Sequence, residues 1–221
     1  MPDMKEKRLV IFAGHYGSGK TNVAVSYALK LAREGKRVVI ADLDIVNPYF
    51  RTKDSEAELS AAGVEVISPR FASSNVDLPA LPAESYRLIS DRSLYGVIDL
   101  GGDDRGAYAL GRFADAIKAE GSYRMALVVN CYRPLTETVE DMIEIMREIE
   151  TASHIPFTDI VNNSNVGEES SRESFLASLD FVDELSERTG LPILMHTVEQ
   201  SLADEITEVE VHRLKLQKKP F

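Results

Sequence analysis

The stretch "GHYGSGKT", residues 14–21, constrains this chain more than any other. It sets Gly14, Gly19, Lys20 and Thr21 in the pattern G-x-x-x-x-G-K-T. An apolar run, "RLVIFAG" (8–14), leads in. A helical pattern from Gly19 to Glu34 leads out, with Val23, Tyr27, Ala28 and Leu31 on one face and Gly35 just past its end. Strand, glycine loop and helix in that order read as a phosphate-binding loop. Glycines let backbone N–H groups turn toward phosphate oxygens without a side chain in the way, and the helix N-terminus adds partial positive charge. The expected nucleotide-binding set is therefore Gly14, His15, Tyr16, Gly17, Ser18, Gly19, Lys20, Thr21 and Asn22. Within it, Lys20 is the expected catalytic cation on the β- and γ-phosphates, and the Thr21 hydroxyl the expected ligand of Mg2+.

Short apolar runs alternate with helical patterns along the rest of the chain, which predicts a parallel sheet wrapped by helices in a single domain spanning 1–221. After 8–14 the predicted strands are 37–44, 64–68, 95–102, 125–131, 157–163 and 191–197. The fold class is α/β, a mostly parallel sheet of about seven strands with helices on both faces. Helix 136–152 carries Val139, Met142, Ile143, Met146 and Ile149 at helical spacing. A second helix begins near Ser170, which with Glu173 predicts a capping box, and Gly190 follows its end. The terminal "EVEVHRLKLQ" reads as an edge strand or a helix. Residues 68–85, rich in proline and small polar side chains, read as a long ordered loop, and loops of that length are often functional.

Three carboxylates stand at predicted strand ends. Asp99 closes "YGVIDLGG", where it can hold a metal-bound water, and Gly102 follows at D-x-x-G spacing, where its N–H can meet a γ-phosphate. Asp42 and Asp44 in "ADLDIVNP" lie two apart and so share one face of their strand. Asp42 is the candidate for the metal shell and Asp44 for positioning the attacking water; an Asx turn before Asn47-Pro48 is the plainer alternative. "NPYFRTKD" and "DDRG" with Arg105 follow these aspartates and are the candidate switch segments.

Charge and cysteine content exclude several classes. A net charge of −11 argues against nucleic acid as a partner, because neutralising phosphates needs a basic surface. The tail holds Arg213, Lys215, Lys218 and Lys219 and reads as a solvated terminus or a thin surface anchor, so no stable membrane attachment is expected. A lone cysteine, Cys131, excludes an internal disulfide, reads as an inert thiol, and points to a cytoplasmic location. The apolar stretch near the N-terminus is too short for a signal-peptide core.

Taken together, the loop, the D-x-D of 42–44 and the D-x-x-G of 99–102 resemble the MinD/ParA-type P-loop ATPases, a group that includes CobQ/CobB-like nucleotide-binding domains. The resemblance implies Mg-ATP as ligand, ATP hydrolysis, and a homodimer formed around nucleotide. It places Asp44 at the water-activating position and Asn162 where an asparagine side chain reads adenine. Many members carry a lysine directly after the first loop glycine; here that residue is His15, which either acts across a dimer or shapes the loop. Guanine-selective relatives typically use N-K-x-D, whereas this chain has "NNSN" (162–165), so ATP is expected over GTP. Asn163 and Asn165 remain either base or ribose contacts or turn formers. The function these readings support is a nucleotide-dependent switch ATPase for an unidentified protein client. The alternatives are an ATP-dependent small-molecule kinase or ligase of the CobB or dethiobiotin-synthase kind, and a non-hydrolysing ATP-binding scaffold or metallochaperone.

Overall fold

Near-continuous apolar runs such as "LVIFA" have no polar face to turn toward water, so they fold as strands covered on both sides. A computed structural model describes residues 7–43, 55–67, 85–101 and 104–215. Eight strands are described: β1 (Leu9–Ala13), β2 (Val38–Leu43), β3 (Glu65–Ile67), β4 (Tyr95–Leu100), β5 (Tyr123–Val129), β6 (Asp159–Asn162), β7 (Ile193–Glu199) and β8 (Val211–Leu214). They form one sheet in the order β3-β2-β4-β1-β5-β6-β7-β8. Every pairing is parallel. The expectation of about seven strands thus becomes eight. The addition is β8, so the alternating terminal segment is the edge strand rather than a helix.

Seven α-helices are described: α1 (Lys20–Arg33), α2 (Glu56–Ala61), α3 (Tyr86–Ser90), α4 (Asp104–Gly111), α5 (Ala114–Glu120), α6 (Val139–Ser153) and α7 (Arg172–Thr189). The period of two along each strand splits the core. On one face Leu9 and Ile11 of β1 pack with Val39 and Ala41 of β2, Leu110 of α4, Met142 of α6 and Val182 of α7. On the other, Val10 and Phe12 pack with Val38 and Ile40 beneath Val23, Tyr27, Ala28 and Leu31 of α1. These are the four α1 residues whose spacing defined the apolar face in the sequence. Phe12 and Tyr27 meet edge to face at 5.5 Å.

The start of α7 differs from the capping expectation. Ser171, not Ser170, is the N-cap, and it forms a reciprocal box with Ser174. Ser170 is engaged elsewhere: its hydroxyl donates to the Gly167 carbonyl at 2.7 Å and closes the short 3-10 turn before the helix. Helix α4 begins within the "DDRG" candidate switch segment, and α5 follows it. Arg8 is a further surprise. It is buried at the foot of the sheet, where its Nη1 donates to the carbonyls of Leu88, Asp91 and Leu94. Its Nε meets Glu120 at 2.9 Å. The switch segment after Asp44, the loop 68–84, Gly102, the side chain of Arg105, Lys218 and Lys219 lie outside the described residues.

Candidate functional site

All strands being parallel, their carboxyl ends share one edge of the sheet, and the topological switch between β1 and its neighbours opens a crevice there. The 14–21 loop leaves β1 at this edge and enters α1. Gly14, Gly17 and Gly19 have φ of +151°, +81° and +84°. At two of them the crowding is as demanding as the dihedral. A Cβ on Gly14 would lie 2.5 Å from the Val128 carbonyl oxygen, and one on Gly19 2.3 Å from Asn163 Nδ2. The glycines therefore let the loop sit hard against β5 and the end of β6.

Lys20 is only 5% exposed, and its Nζ donates to the His15 carbonyl at 3.1 Å, folding back over its own loop. The same carbonyl accepts the Ser18 N–H at 3.2 Å. Thr21 is buried in the first turn of α1. Ser18 Oγ is buried and has no hydrogen-bond partner among the described residues, and it would lie 3.4 Å from a Cβ on Gly14, on the inner side of the loop. His15 and Tyr16 are more open. The His15 Nδ1 lies 3.0 Å from the Tyr16 carbonyl, which requires the ring proton on that nitrogen.

Asp42 and Asp99 are brought together. They are direct Cα partners across β2 and β4, and they are 3% and 1% exposed. Alternation puts both on the α1 face, in line with Ile40 and Val97. Asp99 is also the partner of Phe12, two residues before Gly14. The pair thus lies beside the strand that carries the loop. Asp44 and Gly102 lie outside the described residues.

The asparagines after β6 do something the sequence did not announce. Asn163 Nδ2 donates to the Ser18 carbonyl at 2.6 Å, while its Oδ1 accepts from Thr197 Oγ1 at 2.6 Å. It is a strut between β7 and the glycine loop, not a free base contact. Asn162 is fully buried; its amide donates to Ser178 Oγ at 2.9 Å and its Oδ1 accepts the Ser164 N–H at 3.0 Å. It is therefore not among the exposed groups at this edge. Asn165 bonds the Asn163 carbonyl and the Gly167 N–H, the turn-forming alternative. A cavity of about 20 Å3 beside Asn163, Phe175 and Thr197 has room for a water but not a purine.

Asn130, at the mouth of β5, was not singled out in the sequence. Its Nδ2 donates to the Asn165 carbonyl, and its Oδ1 accepts the N–H groups of Tyr132 and Asn165. Its signal was available: a polar residue ending an apolar strand one step before a loop. Cys131 beside it has its thiol pushed up by burial, in keeping with an inert role.

The comparisons with known proteins agree with this fold. The family model of the CobQ/CobB/MinD/ParA nucleotide binding domain matches residues 9–171. No curated protein matches. Among solved structures, FtsY from Thermotoga maritima aligns with a TM-score of 0.58 at 20% identity, over 88% of this chain and 63% of that one. FtsY from Mycoplasma mycoides gives 0.59 at 20% identity, over 89% and 62%. The 54 kDa signal recognition particle protein from Aeropyrum pernix, solved with GDP, gives 0.54 at 19%, over 87% and 42%. The chain thus spans less than two thirds of these proteins, and at such identities the likeness is one of fold. The family match covers most of the chain and includes the glycine loop, Asp42, Asp99 and the 162–165 segment: the chain belongs to the CobQ/CobB/MinD/ParA nucleotide-binding family.

Proposed function

We propose that the chain binds Mg-ATP in the 14–22 loop, hydrolyses it slowly, and uses the bound state as a switch for a protein client. The observation that carries this reading is the convergence of the glycine loop, Lys20 and Thr21 with the Asp42–Asp99 pair at one edge of the sheet. The residues present suit both groups. Ser18 Oγ is a buried hydroxyl suited to a phosphate oxygen, and Lys20 Nζ already lies at the loop, bonded to the backbone carbonyl of His15. Thr21, Asp42 and Asp99 would hold Mg2+, which two neighbouring buried carboxylates favour because a divalent cation offsets their repulsion. When bound, the metal would draw charge from the transferring phosphate.

In the same reading Asp44 positions the attacking water and Gly102 answers to the γ-phosphate; Asp44 follows β2 directly in sequence and Gly102 stands two residues past β4. Asn162 would read adenine only by giving up Ser178. ATP is favoured over GTP by the groups at 162–165. A guanine-selective site needs a carboxylate to accept from the base, and the candidate position is Asn165, an amide already bonded to Asn163 and Gly167. A protein client and a nucleotide-linked homodimer complete the proposal.

Phosphate release from ATP by the purified chain tests it, alongside sizing with and without nucleotide. The reading expects slow turnover that Lys20→Ala abolishes and a size shift with ATP. Phosphate release unchanged by Lys20→Ala would sink it.

A further inference from the structure

Next to the glycine loop stands a cation that neither the motif nor the family match assigns. Arg133 lies in the turn after β5, and an ideal Cβ on Gly17 would fall 3.9 Å from both its Cδ and its Nε. The arginine stem thus runs along the outer lip of the phosphate loop. Among the described residues its guanidinium makes no hydrogen bond or ion pair. Arg8, Arg87, Arg92, Arg124, Arg172, Arg188 and Arg213 have carboxylate partners, so the Arg133 charge is not spent on such a pair among the described residues.

The backbone beneath it is fixed. The Arg133 N–H donates to the Asn130 carbonyl at 3.3 Å, and the Arg133 carbonyl accepts both the N–H and the hydroxyl of Thr136. The Thr136 hydroxyl also donates to the Asn130 carbonyl at 2.7 Å. One residue earlier, the Tyr132 hydroxyl donates to the Ser174 carbonyl of α7 at 2.6 Å. A side chain on a pinned turn, with its charged end uncommitted and its stem against the loop, is pre-organised for an anion in that loop.

We propose that Arg133 binds the polyphosphate of the nucleotide from the same chain that supplies the glycine loop, adding a charge-assisted contact beside Lys20. The inference rests on the nucleotide-binding reading above. A guanidinium supplied in cis offsets charge on the phosphates without waiting for a second molecule.

Affinity for the slowly hydrolysed analogue ATPγS, with Mg2+, tests this in the full chain, measured for the wild type and for Arg133→Ala, Arg133→Gln, Arg133→Lys and Lys20→Ala. The expected result is a loss of about 10- to 100-fold for Arg133→Ala and Arg133→Gln, the range of a charged hydrogen bond. Arg133→Lys should recover part of it, and the loss in Arg133→Ala should persist at protein concentrations too low for a dimer. Because Arg133 is exposed, thermal unfolding of the variants should match the wild type, which separates lost charge from lost fold. Wild-type affinity in Arg133→Ala, with binding abolished in Lys20→Ala, overturns this inference and leaves the nucleotide reading standing. Equal loss in Arg133→Lys and Arg133→Ala, or a loss in Arg133→Ala that disappears at protein concentrations too low for a dimer, also overturns the cis contact. Absence of ATPγS binding by the wild type overturns both readings.

Discussion

The Asn163 side chain donates to the Ser18 carbonyl at 2.6 Å across 145 positions of sequence. With Thr197 holding its other end, it fixes the height of the glycine loop above the sheet. Asn163→Ala should leave the buried Ser18 carbonyl unsatisfied and cost about 1–3 kcal/mol in chemical unfolding. It should also weaken nucleotide binding, because the loop amides lose their fixed aim. Asn163→Asp should bind nucleotide worse than Asn163→Ala, since a carboxylate cannot donate to the carbonyl and repels phosphate. Equal affinity for Asp and Ala variants in titration would count against the strut.

Gly14→Ala should be severe for a reason independent of any ligand. Its Cβ would fall 2.5 Å from the Val128 carbonyl oxygen, a backbone atom inside β5 that cannot step aside. Displacing the loop from β5 should cost at least about 2 kcal/mol and abolish nucleotide binding. A melting temperature within a degree of wild type would contradict it.

Arg8 and Glu120 form a buried pair at the opposite end of the sheet from the site. Arg8→Met should leave Glu120 only its 3.5 Å pair with Arg92 and leave four carbonyls without their donor, costing about 3–5 kcal/mol. Replacing both residues with Met should recover part of this. Urea unfolding of the single and double variants reads the coupling; strict additivity would contradict it.

His212 on β8 is pushed down to about 4 by burial, and then by the neighbouring charges of Lys30 and Arg33. Its ring nitrogen lies 2.9 Å from the Ser26 hydroxyl of α1. A histidine with a depressed folded pKa binds its proton more readily when unfolded. Stability from the neutral ring is therefore fully present above about pH 6.5 and is lost as pH falls toward 4. The loss should be on the order of 2 kcal/mol. His212→Gln should flatten that part of the stability curve between pH 6.5 and 4.5, measured by urea unfolding.

The sequence made much of the frame legible because period and punctuation are local. β1, α1 and the Gly35 stop follow from residues a few positions apart. So does the Asp42–Asp99 alignment, once both strands are placed in one parallel sheet. Helices α4 and α5 were hidden by their brevity and by the aspartates and glycines before them. Asn163 and Asn130 escaped because their partners lie far along the chain, and an Asn-rich turn looks the same whether it meets a base or a backbone carbonyl. Asn162 shows the converse. The family resemblance suggested adenine for it, while Ser178, sixteen residues on, accepts from its amide.

Calorimetric titration of ATP into the purified chain, with Mg2+ and then with the metal chelated, bears most directly on the claim that this loop is a Mg-nucleotide site. The account predicts saturable one-to-one binding, at least about tenfold weaker without Mg2+, and no detectable heat from Lys20→Ala. Binding of equal strength in Lys20→Ala, or none in the wild type, would contradict it.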